Sequence, residues 1–106
     1  RIKYTKRFND YTISFSIDNN KTQQGPFKKV YDNGQYEEGT FVDGKIEGEL
    51  THFWKDGDWR KFQYHDDKKI GIIEESIAGE IKKVPELTIN PNIPKEKYLA
   101  DIDWLK

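Results

Sequence analysis

The sequence contains no cysteine and no methionine in 106 residues. The first absence excludes disulfides and thiolate metal sites and leaves the redox compartment open. With no methionine and a first residue of Arg1, a removed leader is also left open. A cytoplasmic location is the expectation. No stretch approaches the ~18 apolar residues of a membrane-spanning helix. An excess of one charge is missing too: 18 basic and 19 acidic residues are interspersed, for a net charge of -1. Without a basic block, neither nucleic acid nor an anionic membrane surface is favoured as a partner. No serine or threonine stands in a nucleophile pattern with His and Asp, and no glycine loop leads into a helix as a phosphate cradle would.

What is present is aromatic. The hydrophobic fraction is only 34%, but the aromatic fraction is 14%. Mean hydropathy is -0.98. A few large rings must therefore do the burying, each contributing roughly 1.5–3 kcal/mol when fully buried. At this length the chain forms one domain, residues 1–106, with a shallow core.

The rings belong to an internal repeat. Residues 31–48 read YDNGQYEEGTFVDGKIEG and residues 54–71 read WKDGDWRKFQYHDDKKIG, offset by 23. Gly34 falls on Gly57, Tyr36 on Trp59, Phe41 on Tyr64, Lys45 on Lys68 and Gly48 on Gly71. Before the repeat, Tyr11, Ile13, Phe15 and Ile17 alternate with Thr12, Ser14 and Ser16, the signature of a half-buried strand. Residues 1–10 read as a lead-in or a frayed strand. Turn signals then recur at Asn19-Asn20, Asn33-Gly34, Asp43-Gly44, Asp56-Gly57 and Asp66-Asp67. The segments between them suit single strands and are too short for a helix with its loops. The expected fold is all-β, an antiparallel β-hairpin repeat meander over residues 8–84.

Two expectations about register follow. If Asn33-Gly34 and Asp56-Gly57 are two-residue loops, Tyr31 faces Tyr36, Trp54 faces Trp59, and Lys29 faces Glu38. The odd period pulls the other way. With two-residue turns throughout, equivalent positions in successive repeats would land on opposite faces of the sheet. One β-bulge or one three-residue loop per repeat is therefore expected.

Beyond Gly71 the apolar pattern continues through Ile72, Ile73 and Ile77. A turn is expected at Ala78-Gly79 and a closing strand from Glu80 to Val84. Pro85, Pro91 and Pro94 make residues 85–93 an extended segment. Residues 94–106 read as a short C-terminal helix with Pro94 at its first position and Tyr98, Ile102 and Leu105 on one stripe, a helical cap on the sheet.

The run from Tyr36 to Glu49 resembles a MORN repeat, roughly Y-x-G-x-W/F-x-x-G-x-x-x-G. Tyr36, Gly39, Phe41, Gly44 and Gly48 match, with one extra residue between Tyr36 and Gly39. The next copy keeps Trp59, Tyr64 and Gly71 but has Phe62 and Asp67 where glycines are expected; the preceding copy keeps little beyond Gly25. Over residues 8–77 the chain more closely resembles the bacterial YwqK-like antitoxin variant of the repeat. The resemblance implies a non-catalytic extended sheet that binds and neutralises a cognate toxin domain. MORN repeats elsewhere are linked to scaffolding and to membranes. A structural or envelope-associated module, and then a lipid-binding one, are the alternatives.

Candidate sites are few. His65-Asp66-Asp67 could suggest a metal site, but Asp66-Asp67 aligns with the Asp43-Gly44 turn, so no metal ligand and no cofactor is assigned. His52 aligns with Lys29 and is expected to face solvent. Glu37, Glu38, Glu47 and Glu49, set among lysines, read as a solvated face and edge protection rather than an acid–base pair. No catalytic residue is assigned. Tyr31, Tyr36, Trp54, Trp59, Phe62 and Tyr64 exceed what one face of a thin sheet can bury. They are expected to form the core and the stack between repeats, with some exposed on a concave face as protein-binding anchors, since Trp and Tyr are over-represented among binding hot spots.

Overall fold

The computed structural model describes residues 2–83. Among these residues the chain forms nine strands and no helix. They are β1 (Ile2–Arg7), β2 (Tyr11–Ile17), β3 (Gly25–Tyr31), β4 (Tyr36–Val42), β5 (Lys45–Ile46), β6 (Gly48–Phe53), β7 (Trp59–His65), β8 (Lys68–Ile77) and β9 (Glu80–Lys83). One antiparallel sheet runs β1-β2-β3-β4-β6-β7-β8-β9, with β5 pairing β4. The protein is thus an all-β meander. Within the first ten residues a strand does form, over Ile2–Arg7. The expected extended segment 85–93 and the helix 94–106 lie outside the described residues, as does Val84 at the end of the expected closing strand.

The odd period is resolved at the Asn33-Gly34 and Asp56-Gly57 turns, which are three-residue loops. The Tyr31 N–H donates to the Gln35 carbonyl at 2.8 Å, and the Gly34 N–H donates to the Tyr31 carbonyl at 3.1 Å. Trp54, Asp58 and Gly57 repeat both bonds at 2.8 and 3.1 Å. The last loop residue must turn left-handed, and Gly34 and Gly57 do so with φ of 94° and 97°. Asn33 Oδ1 and Asp56 Oδ1 each accept the next-but-one backbone N–H at 3.0 Å and lock the loop. The alternate turns, Asp43-Gly44 and Asp66-Asp67, are two-residue loops with positive φ at both positions. One loop of each kind per repeat makes the translation odd while keeping equivalent residues on one face.

This outcome corrects the pairings expected from two-residue loops. Val30, not Tyr31, faces Tyr36, and Phe53, not Trp54, faces Trp59. Lys29 faces Glu37, and Lys28 takes Glu38. A slip of one residue sends every side chain to the other face, so Tyr31 and Tyr36 lie on opposite sides of the sheet.

A second irregularity also repeats. Between Phe41↔Ile46 and Glu38↔Thr51 the chain beyond the turn carries two extra residues. The equivalent pairs Tyr64↔Lys69 and Lys61↔Glu74 show the same excess. Because the excess is even, it bends the pairing without exchanging faces.

The core lies on one face. Phe27, Phe41, Leu50, Phe62 and Ile72 form a buried cluster, flanked by Ile13, Phe15, Ile46 and Tyr64. Phe27, Gly39, Leu50, Phe62 and Ile72 lie on strands that pair successively from β3 to β8. Phe62 occupies the place of Gly39 in the next copy. In the first copy the ring comes from the facing strand, as Phe27; in the second, the strand itself supplies it and the smaller Leu50 faces it.

Candidate functional site

The core face carries a charged row beside its apolar one. Lys29, Glu37, His52, Arg60 and Glu75 are successive cross-strand partners from β3 to β8. His52 places Nδ1 2.9 Å from Glu37 Oε2 and Nε2 2.7 Å from Gln35 Oε1. The Tyr31 hydroxyl donates to Glu37 Oε1 at 3.2 Å. Arg60 Nε donates to Glu75 Oε1 at 2.8 Å within the buried interior. Next to the row runs a ladder of rings, Phe8–Tyr11–Tyr31–His52–Trp54, with successive centroids 4.9, 5.9, 6.1 and 5.0 Å apart. Lys29 Nζ lies 4.2 Å from the Tyr11 centroid and 5.1 Å from that of Tyr31.

His52 is therefore not a solvent-facing residue. Its equivalence to Lys29 holds, but Lys29 itself points to the core face and sets its ammonium over two rings. Glu37 likewise leaves the solvated set and joins this row. Burial pushes its carboxyl up, but the hydrogen bond from His52, the neighbouring charges of His52 and Lys29 and the Tyr31 hydroxyl outweigh burial and hold it below the ordinary glutamate value. Tyr64 is pushed up to about 12, chiefly by burial and also by the Glu37 charge. In an ultraviolet absorbance titration one tyrosine should ionise near about 12, and Tyr64→Phe should remove that component.

The turn reading of Asp66-Asp67 is the observed one. Asp67 Oδ1 accepts the Ile46 N–H at 2.7 Å, and Asp66 pairs with Lys45 at 2.7 Å. Among the described residues no group of three or more His, Asp or Glu is placed to hold a metal ion. Nor is any helix among them long and apolar enough to cross a membrane.

The six expected anchors are divided. Phe62 is a buried core residue, and Tyr64 packs against the core cluster. Tyr31 and Trp54 stand in the ring ladder of the core face. Tyr36 and Trp59 alone lie on the opposite face, where the structure unites them with Val30 and Phe53. Val30, Tyr36, Phe53 and Trp59 are successive cross-strand neighbours on β3, β4, β6 and β7. The Tyr36 and Phe53 rings stack at 4.4 Å and 12°. Val30 is 43% exposed, and the three rings are half-buried. The neighbouring row on this face is Lys28, Glu38, Thr51, Lys61 and Glu74. Lys28 Nζ sits 4.8 Å above Tyr36 and Lys61 Nζ lies 6.0 Å from Trp59. An apolar stripe with a charged flank has the anatomy of a protein contact. The odd period, if its extra residue lies in the aromatic turns, pairs Tyr36 with Val30 and Trp59 with Phe53.

No protein-family model, no curated protein and no solved structure matches the chain.

Proposed function

We propose that the protein is a non-catalytic binding module that neutralises a cognate toxin or effector domain by direct contact, in the manner of an immunity protein of the MORN-like antitoxin group. The observation that supports this reading is the Val30–Tyr36–Phe53–Trp59 stripe. It crosses four strands on a face whose other row is charged, and it is built on rigid sheet rather than on loops. Trp and Tyr in such a stripe supply large contact area at low entropic cost. Lys28, Glu38, Lys61 and Glu74 beside them set orientation and steer encounter.

The test is co-expression with the product of the adjacent open reading frame, with capture from the native host. A partner should copurify and its toxicity should be relieved. Trp59→Ala should weaken that complex at least roughly thirtyfold, the ~2 kcal/mol of a hot spot. The circular dichroism spectrum should be unchanged. If no partner copurifies and no toxicity is relieved, the reading fails.

A further inference from the structure

The β1 side of the sheet carries a second feature, independent of the aromatic stripe. All six residues of β1 are exposed, and among the described residues β1 pairs only with β2. The Phe8 N–H donates to the Tyr11 carbonyl at 2.8 Å, and the β1–β2 register continues from that pair without a shift. Bonded and non-bonded pairs alternate in an antiparallel ladder. Ile2, Tyr4 and Lys6 therefore turn their N–H and C=O groups toward β2. Lys3, Thr5 and Arg7 turn theirs outward, which leaves three donors and three acceptors along the edge.

The side chains around this edge are one-sided in charge. Residues 2–32 hold six basic side chains and three acidic ones, Asp10, Asp18 and Asp32. Arg7 is held by Asp32, with both contacts at 2.6 Å. Lys3 and Lys6 have no carboxylate partner among the described residues. On the core face Tyr4, Phe15 and Ile17 line a cavity of about 440 Å³ rimmed by Lys6 and Lys21. Tyr4, 45% exposed, stacks on Phe15 at 6.2 Å.

A second copy of β1 is a poor occupant. Antiparallel self-pairing centred on Thr5 sets Lys3 against Arg7, and like charges directly opposite are destabilising. A strand with acidic side chains on one face and apolar side chains on the other satisfies every feature. Its backbone takes the outward groups, a carboxylate meets Lys3, and an apolar side chain enters the Tyr4–Phe15–Ile17 cavity. We infer that β1 is a docking edge for an acidic extended segment of a partner protein, which adds to the sheet as a further antiparallel strand.

The probe is a labelled peptide of alternating glutamate and valine, compared with one of alternating lysine and valine. The glutamate peptide should bind saturably, with amide shifts in nuclear magnetic resonance confined to β1 and β2. The lysine peptide should bind roughly tenfold more weakly or not at all. Thr5→Pro removes an outward donor without touching the β1–β2 ladder, so it should abolish binding while the melting curve stays in place. Thr5→Ala should bind as the parent does, which separates the backbone donor from the Thr5–Ser14 hydroxyl contact at 3.3 Å. Lys3→Glu should reverse the preference between the two peptides. Trp59→Ala should leave peptide binding unchanged, so this edge and the aromatic stripe can fail separately. Equal binding of both peptides, undiminished binding by Thr5→Pro, or no saturable binding of the glutamate peptide would overturn the inference.

Discussion

Replacing Arg60 by alanine should destabilise the protein by about 3–5 kcal/mol, the range for stranding one member of a buried ion pair. That is a large part of the total stability of a domain this size. Arg60 and Glu75 are 2% and 0% exposed, and their contact is 2.8 Å. Among the described residues Glu75 Oε2 has no hydrogen-bond partner, and Arg60 is the group that makes the buried carboxyl tolerable. Burial pushes the Glu75 carboxyl above the ordinary glutamate value; the charge and hydrogen bond of Arg60 pull it back without cancelling the rise.

The sign of the pH dependence follows. A carboxyl raised in the folded state binds its proton more tightly there than in the unfolded chain. Its contribution is full below the unfolded value and is lost as pH rises through the folded one. Without Arg60 the rise grows. The defect of Arg60→Ala should therefore be smallest in acid and should deepen as pH climbs above the ordinary glutamate range. Chemical denaturation of both proteins across pH measures this. A defect that is flat with pH would show that Glu75 does not carry the cost. Arg60→Met combined with Glu75→Leu should recover much of the loss, since an apolar pair of similar size removes both charges.

Gly39→Val is expected to be the other severe change. A Cβ at Gly39 would lie 2.8 Å from Phe27 Cε1, 2.9 Å from Phe27 Cζ and 3.4 Å from Leu50 Cδ1. The ring cannot simply swing away. Phe27 is 5% exposed and stacks on Phe41 at 4.4 Å, so any shift propagates through the cluster. Gly39→Ala should cost about 1–3 kcal/mol as an overpacked core, and Gly39→Val more, with loss of the cooperative melt. Phe27→Leu should rescue Gly39→Ala in a double-mutant cycle, because the facing pair would then approach the Leu50–Phe62 pair of the next repeat. Additive losses in that cycle would place the cost in the strand backbone rather than under the ring.

Much of this architecture was legible in the chain. Alternation in Tyr11–Ile17, the regular turn residues and the 23-residue offset are local or periodic signals, and they are enough to specify a meander. The odd period even required an odd loop or bulge in each repeat, by parity alone. Which turn held it was another matter. Asn-Gly and Asp-Gly favour a two-residue loop, yet their glycine equally supplies the left-handed last residue of a three-residue one. The choice fell to the whole sheet, which keeps Phe27 with Phe41, and Leu50 with Phe62, on one face only if the longer loop lies between Tyr31 and Gln35 and between Trp54 and Asp58. That single residue decided the faces. It placed Tyr36 and Trp59 with Phe53 and Val30 on one side. On the other side it placed Tyr31 and Trp54 with His52, and lined Lys29, Glu37, His52, Arg60 and Glu75 into one row. Side-chain direction in a strand has a period of two, so composition and spacing determine which residues form strands. Long-range register, set only when all the strands pair, decides what those residues touch.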